Sequence, residues 1–199
     1  MTNVPGSQLA KKLAQLAPGD LNHVFFSCGG STAIDSALRL IHFYQNARGM
    51  PLKKHIIARR EAYHGSTYAA MSISAKHADH IPEFDYITDT IHHLRCPYFY
   101  RAPMGISEAD FTDMLITEFR EKITELGGSG KVAAFFAEPI MGSGGVIVPP
   151  ENYLRRMWEV CQENDILFVA DEVVTAFGRL GHWFASEAVF NVKPDIITT

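Results

Sequence analysis

The sequence predicts an α/β protein, a mostly parallel sheet flanked by helices, and three observations carry that reading. Short apolar runs alternate with amphipathic helical stretches along the chain. Turns marked by glycine or proline separate many of them. Polar residues collect where the apolar runs end, which is where open parallel sheets hold ligands.

Taken in order, residues 8–16 (QLAKKLAQL) place apolar side chains at helical spacing and stop at the turn Pro18-Gly19. Residues 23–27 (HVFFS) read as a short buried strand, broken by Gly29-Gly30-Ser31. Residues 32–48 (TAIDSALRLIHFYQNAR) are strongly helical and close at Gly49. HIIAR, 55–59, is a second strand that runs toward the polar cluster EAYHGST. From about 75 to 105 the chain is rich in His, Pro and aromatics without a clear period, as in a long surface excursion. Residues 107–126 form an amphipathic helix with Ser107 as N-cap and Gly127-Gly128 past its end. VAAFFAE (132–138) is a strand, GSGG (142–145) a loop, and Pro149-Pro150 opens the helix ENYLRRMWEVCQEN (151–164). ILFVADEVV (166–174) is another apolar strand, and IITT (196–199) the last. There is no internal repeat and no low-complexity linker.

The totals bound the function. A length of 199 residues suits one domain or a piece of a larger one, and 47% hydrophobic with 20% charged residues is ordinary for a globular chain. A net charge of -4 gives no support for a nucleic-acid or anionic-membrane partner. No apolar run reaches the length of a membrane span, and the N-terminus lacks a secretory pattern. Cys28, Cys96 and Cys161 are odd in number and far apart, which points to a reducing, cytoplasmic compartment.

Four strand ends carry chemistry. In SCGGSTAID, Gly29 and Gly30 lead into a helix whose first N–H groups, near Ser31 and Thr32, favour a phosphate, although many such turns need glycine for geometry only. The spacing is neither GxxxxGK[ST] nor GxGxxG, so a simple phosphate ester fits better than a nucleotide. In AYHGST, Tyr63 is placed to stack on a planar group beside His64, or both serve as buried core. Glu138 follows a nearly apolar strand, so its carboxylate needs a partner, either a structural ion pair or a cofactor contact. Asp171 and Glu172 terminate the apolar strand ILFVA; a strand-end carboxylate stays ionised when it faces a protonated ring nitrogen, and a helix cap or salt bridge serves as well.

Together, FFSCGGSTAIDSALRL, AYHGST, AEPIMGSGGVIVPP and DEVVTAFGRLG resemble the class III (ω-amino) aminotransferases, pyridoxal-phosphate enzymes of fold type I. Nearest in character are the ω-amino acid and amine:pyruvate transaminases. The resemblance implies that residues 1–199 are part of the cofactor-binding large domain. It implies pyridoxal 5'-phosphate as cofactor, an amine or ω-amino acid as donor, a keto acid such as pyruvate as acceptor, and a homodimer or larger homo-oligomer. Gly30 and Ser31 would bind the cofactor phosphate, and Tyr63 would stack on the ring with His64 nearby. Asp171 would pair with the ring nitrogen, Val173 would pack on the face opposite Tyr63, and Glu138 would lie near the phenolic side.

Three positions depart from the family pattern. Thr32 stands where an acidic residue is usual, Ser143 where the ornithine and GABA types carry a switching Glu, and Val174 where some relatives use Gln. The Ser143 departure favours the amine:pyruvate type. The resemblance further implies that the lysine forming the Schiff base comes two residues after Thr199, and that an N-terminal segment precedes the first helix. On that expectation the 199 residues alone are catalytically inactive, or the chain is a remnant, and exposed apolar surface drives self-association. The lysines present, from Lys11 to Lys193, read mostly as solvated helix or turn residues. An aminomutase or decarboxylase of the same class is the further alternative.

Overall fold

The computed structural model describes residues 3–199. Helix α1 (Val4–Leu16) begins earlier than its apolar spacing suggested, because the Asn3 side chain accepts a hydrogen bond from Gly6 N–H at 2.8 Å and a proline sits in the first turn. The alternation then runs α2 (Gly30–Ala47), β1 (His55–Arg59), α3 (Tyr68–Ile73), β2 (Ile91–Leu94), α4 (Glu108–Glu125), β3 (Val132–Ala137), α5 (Tyr153–Glu163), β4 (Leu167–Asp171), α6 (Ala185–Phe190) and β5 (Ile196–Thr198). The five strands form one parallel sheet in the order β2-β1-β3-β4-β5.

Strand alternation divides the core into two layers. Ile57, Phe135, Ala137, Phe168 and Ala170 face α4 and α5, packing on Phe111, Phe119, Tyr153 and Met157. Ile56, Ala58, Ala134, Phe136 and Val169 face α2 and α3, packing on Ile34, Leu38, Ile41 and Ile73. The β1 to β2 crossover uses α3 on one face, and the β3 to β4 crossover uses α5 on the other. Consecutive connections therefore leave the sheet on opposite sides between β1 and β3, opening the crevice in which α/β sheets take ligands.

Three expectations are corrected, and two short helices are added. Residues 23–27 are not a buried strand: they have no regular structure, and Phe25 and Phe26 are exposed. A strand is stable only when a neighbour takes its N–H and C=O groups, and among the described residues none pairs with this segment. The excursion 75–105 holds the edge strand β2, whose IHHL lacks the apolar alternation that would have signalled it. The short helices α3 and α6 had no periodic signal long enough to read. The strand through 166–174 stops at Asp171, and Glu172 turns away to accept hydrogen bonds from Ala185 N–H, Ser186 N–H and the Thr175 hydroxyl at 2.7, 2.9 and 3.1 Å. Glu172 thereby holds the start of α6 and is structural.

Candidate functional site

The four motifs, three at strand ends and SCGGSTAID at the start of α2, contribute to one polar cluster at the C-terminal edge of the sheet. Helix α2 starts at Gly30 without a side-chain cap, so its first N–H groups have no partner inside the helix. A Cβ on Gly30 would lie 3.2 Å from Val173 Cγ2, so a larger residue would press on the turn that follows β4. Ser31 is seated by the β1 loop: Ser66 N–H donates to Ser31 Oγ at 3.1 Å. A Cβ on Gly65 would come within 2.8 Å of Ser31 Cα, and Gly65 has φ +131°, so only glycine allows this approach.

Behind β1, the Tyr63 N–H donates to Glu138 Oε1 at 3.1 Å, and Gly142 N–H donates to Glu138 Oε2 at 2.8 Å. The buried Glu138 carboxylate therefore clamps two backbone segments, the β1 loop and the GSGG loop, and this fulfils its need for partners without an ion pair. Tyr63 keeps its ring partly exposed. His64 is buried: its N–H donates to Ser74 Oγ at 2.7 Å, and its Nδ1 lies 2.6 Å from Asp171 Oδ2. A carboxylate only accepts, so Nδ1 carries the proton in this contact. The other Asp171 oxygen, Oδ1, takes one long bond of 3.3 Å from Val173 N–H and keeps acceptor capacity. Val173 itself is about half exposed.

Contacts thus link Tyr63 to Glu138, His64 to Asp171, Asp171 to Val173, Val173 to Gly30, and the β1 loop to Ser31. Sequence reading missed Ser74, whose hydroxyl accepts the His64 N–H from outside the motif, and Gly65 and Gly142, whose parts in the cluster are backbone contacts with no side-chain signature; the glycine in AYHGST was the one visible hint. It also misjudged Lys53, which is buried rather than solvated, its Nζ donating to Asp165 Oδ2 at 2.8 Å and to the Asp165 carbonyl. Lys53 precedes β1 and lies at the opposite end of the sheet from the cluster.

The histidines of the excursion form no comparable centre. His55 Nδ1 and His92 Nε2 are 2.9 Å apart, and burial lowers His92 and pulls His93 down to about 4. Among the described residues no group of three or more His, Cys, Asp or Glu gathers as a metal site.

The donor set fits one kind of guest: an anion at an uncapped helix start, a planar ring beside an exposed aromatic, and a cationic ring N–H at a buried carboxylate. The α/β architecture with its parallel sheet is that of the fold type I pyridoxal-phosphate enzymes. The family model for aminotransferase class-III matches residues 1–199. The chain belongs to that family.

It is 42% identical to gamma-aminobutyrate transaminase 1 of Oryza sativa subsp. indica, a mitochondrial protein, over 99% of this chain and 38% of the relative. It is also 42% identical to the putrescine–pyruvate aminotransferase of Pseudomonas aeruginosa, over 97% of this chain and 42% of the relative. The solved ω-transaminase from Pseudomonas jessenii in complex with PMP superposes with a TM-score of 0.94 at 40% identity, over 99% of this chain and 43% of that one. The chain therefore spans about two fifths of the length of the relatives it matches.

Proposed function

We propose that this chain is the cofactor-holding part of a pyridoxal 5'-phosphate-dependent aminotransferase that moves an amino group from an amine or ω-amino acid to a keto acid such as pyruvate. The observation that carries the reading is Asp171, a buried carboxylate fixed by His64 on one oxygen and left with acceptor capacity on the other. When bound, the cofactor supplies a carbonyl carbon for the amino group and a protonated ring that draws electron density from the substrate. The N–H groups of Gly30 and Ser31 would hold the phosphate, assisted by the α2 dipole. Tyr63 and Val173 would flank the ring and exclude water there. Asp171 would accept from the protonated ring nitrogen, with His64 holding the Asp171 carboxylate in register. Glu138 would orient Tyr63 through its backbone N–H.

Ser143, in place of a glutamate in the GSGG loop, supports an amine:pyruvate preference over the GABA type. Exposed apolar side chains such as Phe25, Phe43 and Met104 support a homodimer or larger homo-oligomer. The unpaired cysteines support a cytoplasmic location.

Two measurements test the proposal. Titration of the chain with pyridoxal 5'-phosphate, followed by absorbance and tryptophan fluorescence, should give saturable binding that Asp171→Ala weakens by more than about a hundredfold. The complete protein, loaded with cofactor, should form alanine from pyruvate only when an amine is added. Absence of both signals would refute the reading.

A further inference from the structure

Beneath the cluster, on the other face of the sheet, lies a buried cation that none of the assigned roles uses. Arg59 is the last residue of β1 and is fully buried. Strand alternation puts it on the side of Ile57, toward α4 and α5, whereas Asp171 shares the side of Val169. One guanidinium nitrogen donates to the Glu138 carbonyl at 2.7 Å; Nε and Nη1 have no hydrogen-bond partner. Among the described residues no carboxylate comes within ion-pair distance of it. The side chain sits beside Tyr153, whose hydroxyl burial pushes up to about 12 against the pull of Arg59.

A buried, permanently charged guanidinium is costly, and in a purely structural role it would be matched by a carboxylate, as Lys53 is by Asp165. Arg59 instead directs its one good bond at the backbone of the residue that clamps Tyr63 and Gly142. A charge-assisted bond to a carbonyl is about twice as strong as a neutral one. It resists rotation of the Glu138 peptide, which would swing both carboxylate oxygens off their N–H donors.

We infer that Arg59 is a positioning residue: through the Glu138 carbonyl it fixes, from behind the sheet, the carboxylate that sets Tyr63 and the GSGG loop at the ring. This rests on the reading of the site as a pyridoxal-phosphate cradle, but the clamp itself is testable without the cofactor.

The experiment is amide hydrogen–deuterium exchange on the wild-type chain, Arg59→Met and Arg59→Lys, paired with pyridoxal 5'-phosphate titration. Arg59→Met should raise exchange at the Tyr63 and Gly142 amides about tenfold and weaken cofactor affinity by a similar factor. Amides within α4 and α5 should keep their protection. Arg59→Lys, which retains one charged donor, should recover part of both effects. Tyr63 and Gly142 amides protected within about twofold of wild type in Arg59→Met would overturn the inference. So would a uniform loss of protection through α4 and α5, which would make Arg59 a packing residue only. Should Arg59→Met not fold, the same two amides in Arg59→Lys decide the matter by the same criterion. Should the wild-type chain not bind the cofactor, the proposed function fails while the exchange result still judges the clamp.

Discussion

The two ends of the sheet both bury charge, and they do so in opposite ways. At the N-terminal ends of β1 and β4, Asp165 accepts from Lys53 at 2.8 Å and from Arg48 at 3.0 Å, so one carboxylate answers two cations. At the C-terminal ends of β3 and β4, Glu138, Asp171 and Glu172 are buried, and the buried cation that ends β1, Arg59, pairs with none of them. The lower group is a closed ion cluster whose work is done once the chain folds. The upper group holds its carboxylates on backbone N–H groups and a histidine, and one Asp171 oxygen is left nearly free. Charge matched internally stabilises a fold; charge matched by orientation, with capacity to spare, prepares a site for a charged guest.

That contrast is open to disruption at either end. The largest effect is expected at Asp171. Asp171→Ala removes a buried carboxylate from a cationic ring and should cost about 3 kcal/mol of cofactor affinity, more than a hundredfold, read by fluorescence titration. Unfolding midpoints should change far less than affinity. Gly65→Ala comes next: its Cβ meets Ser31 Cα at 2.8 Å with φ at +131°, and should destabilise the chain by about 2 kcal/mol in denaturant melts. Because Ser31 moves with it, cofactor affinity should fall in parallel, linking the site to the fold at that one contact.

Asp165→Ala reverses the signature. It leaves Lys53 without its counter-ion and should cost about 1–2 kcal/mol of stability, tempered by the partial exposure of Asp165, with cofactor affinity unchanged. Partial burial opposes the ionised form of Asp165, but Lys53 and Arg48 prevail and hold its carboxyl below the usual range. The folded pKa lies below the unfolded one, so this stabilisation is present above the unfolded value and is lost as pH falls through the folded one. Melts at decreasing acidic pH should therefore show the gap between wild type and Asp165→Ala closing. The smallest effect belongs to the exposed i,i+4 pair Arg155–Glu159 on α5, at 3.0 Å. Arg155→Ala should change stability by about 0.5 kcal/mol or less and affinity not at all, which sets the baseline for the other three.

Much of this arrangement was legible in the residues alone. HIIAR, VAAFFA and LFVAD are short apolar runs flanked by turn signals; the first two are strands within a residue of their expected limits, and the third stops three residues short of its expected end. The polar residues at their ends, from Tyr63 to Asp171, were identifiable because a buried strand that stops on a charge needs a reason. IHHL was not legible, since its two histidines conceal an edge strand recognisable only by its pairing with β1. HVFFS misled for the complementary reason, having strand composition and no strand beside it.

The sequence by itself determined strands β1, β3, β4 and β5, the longer helices between them and the identities of the polar residues at their ends, because periodicity and turn chemistry act over a few neighbouring residues. The tertiary structure alone decided how two adjacent acids divide their partners: Asp171 turns to His64 and Glu172 to the start of α6. It alone buried Lys53 against Asp165 and set Arg59 under Glu138, separations of 112 and 79 residues. Such contacts depend on strand order and on which face each side chain takes, and both are settled when distant segments pack.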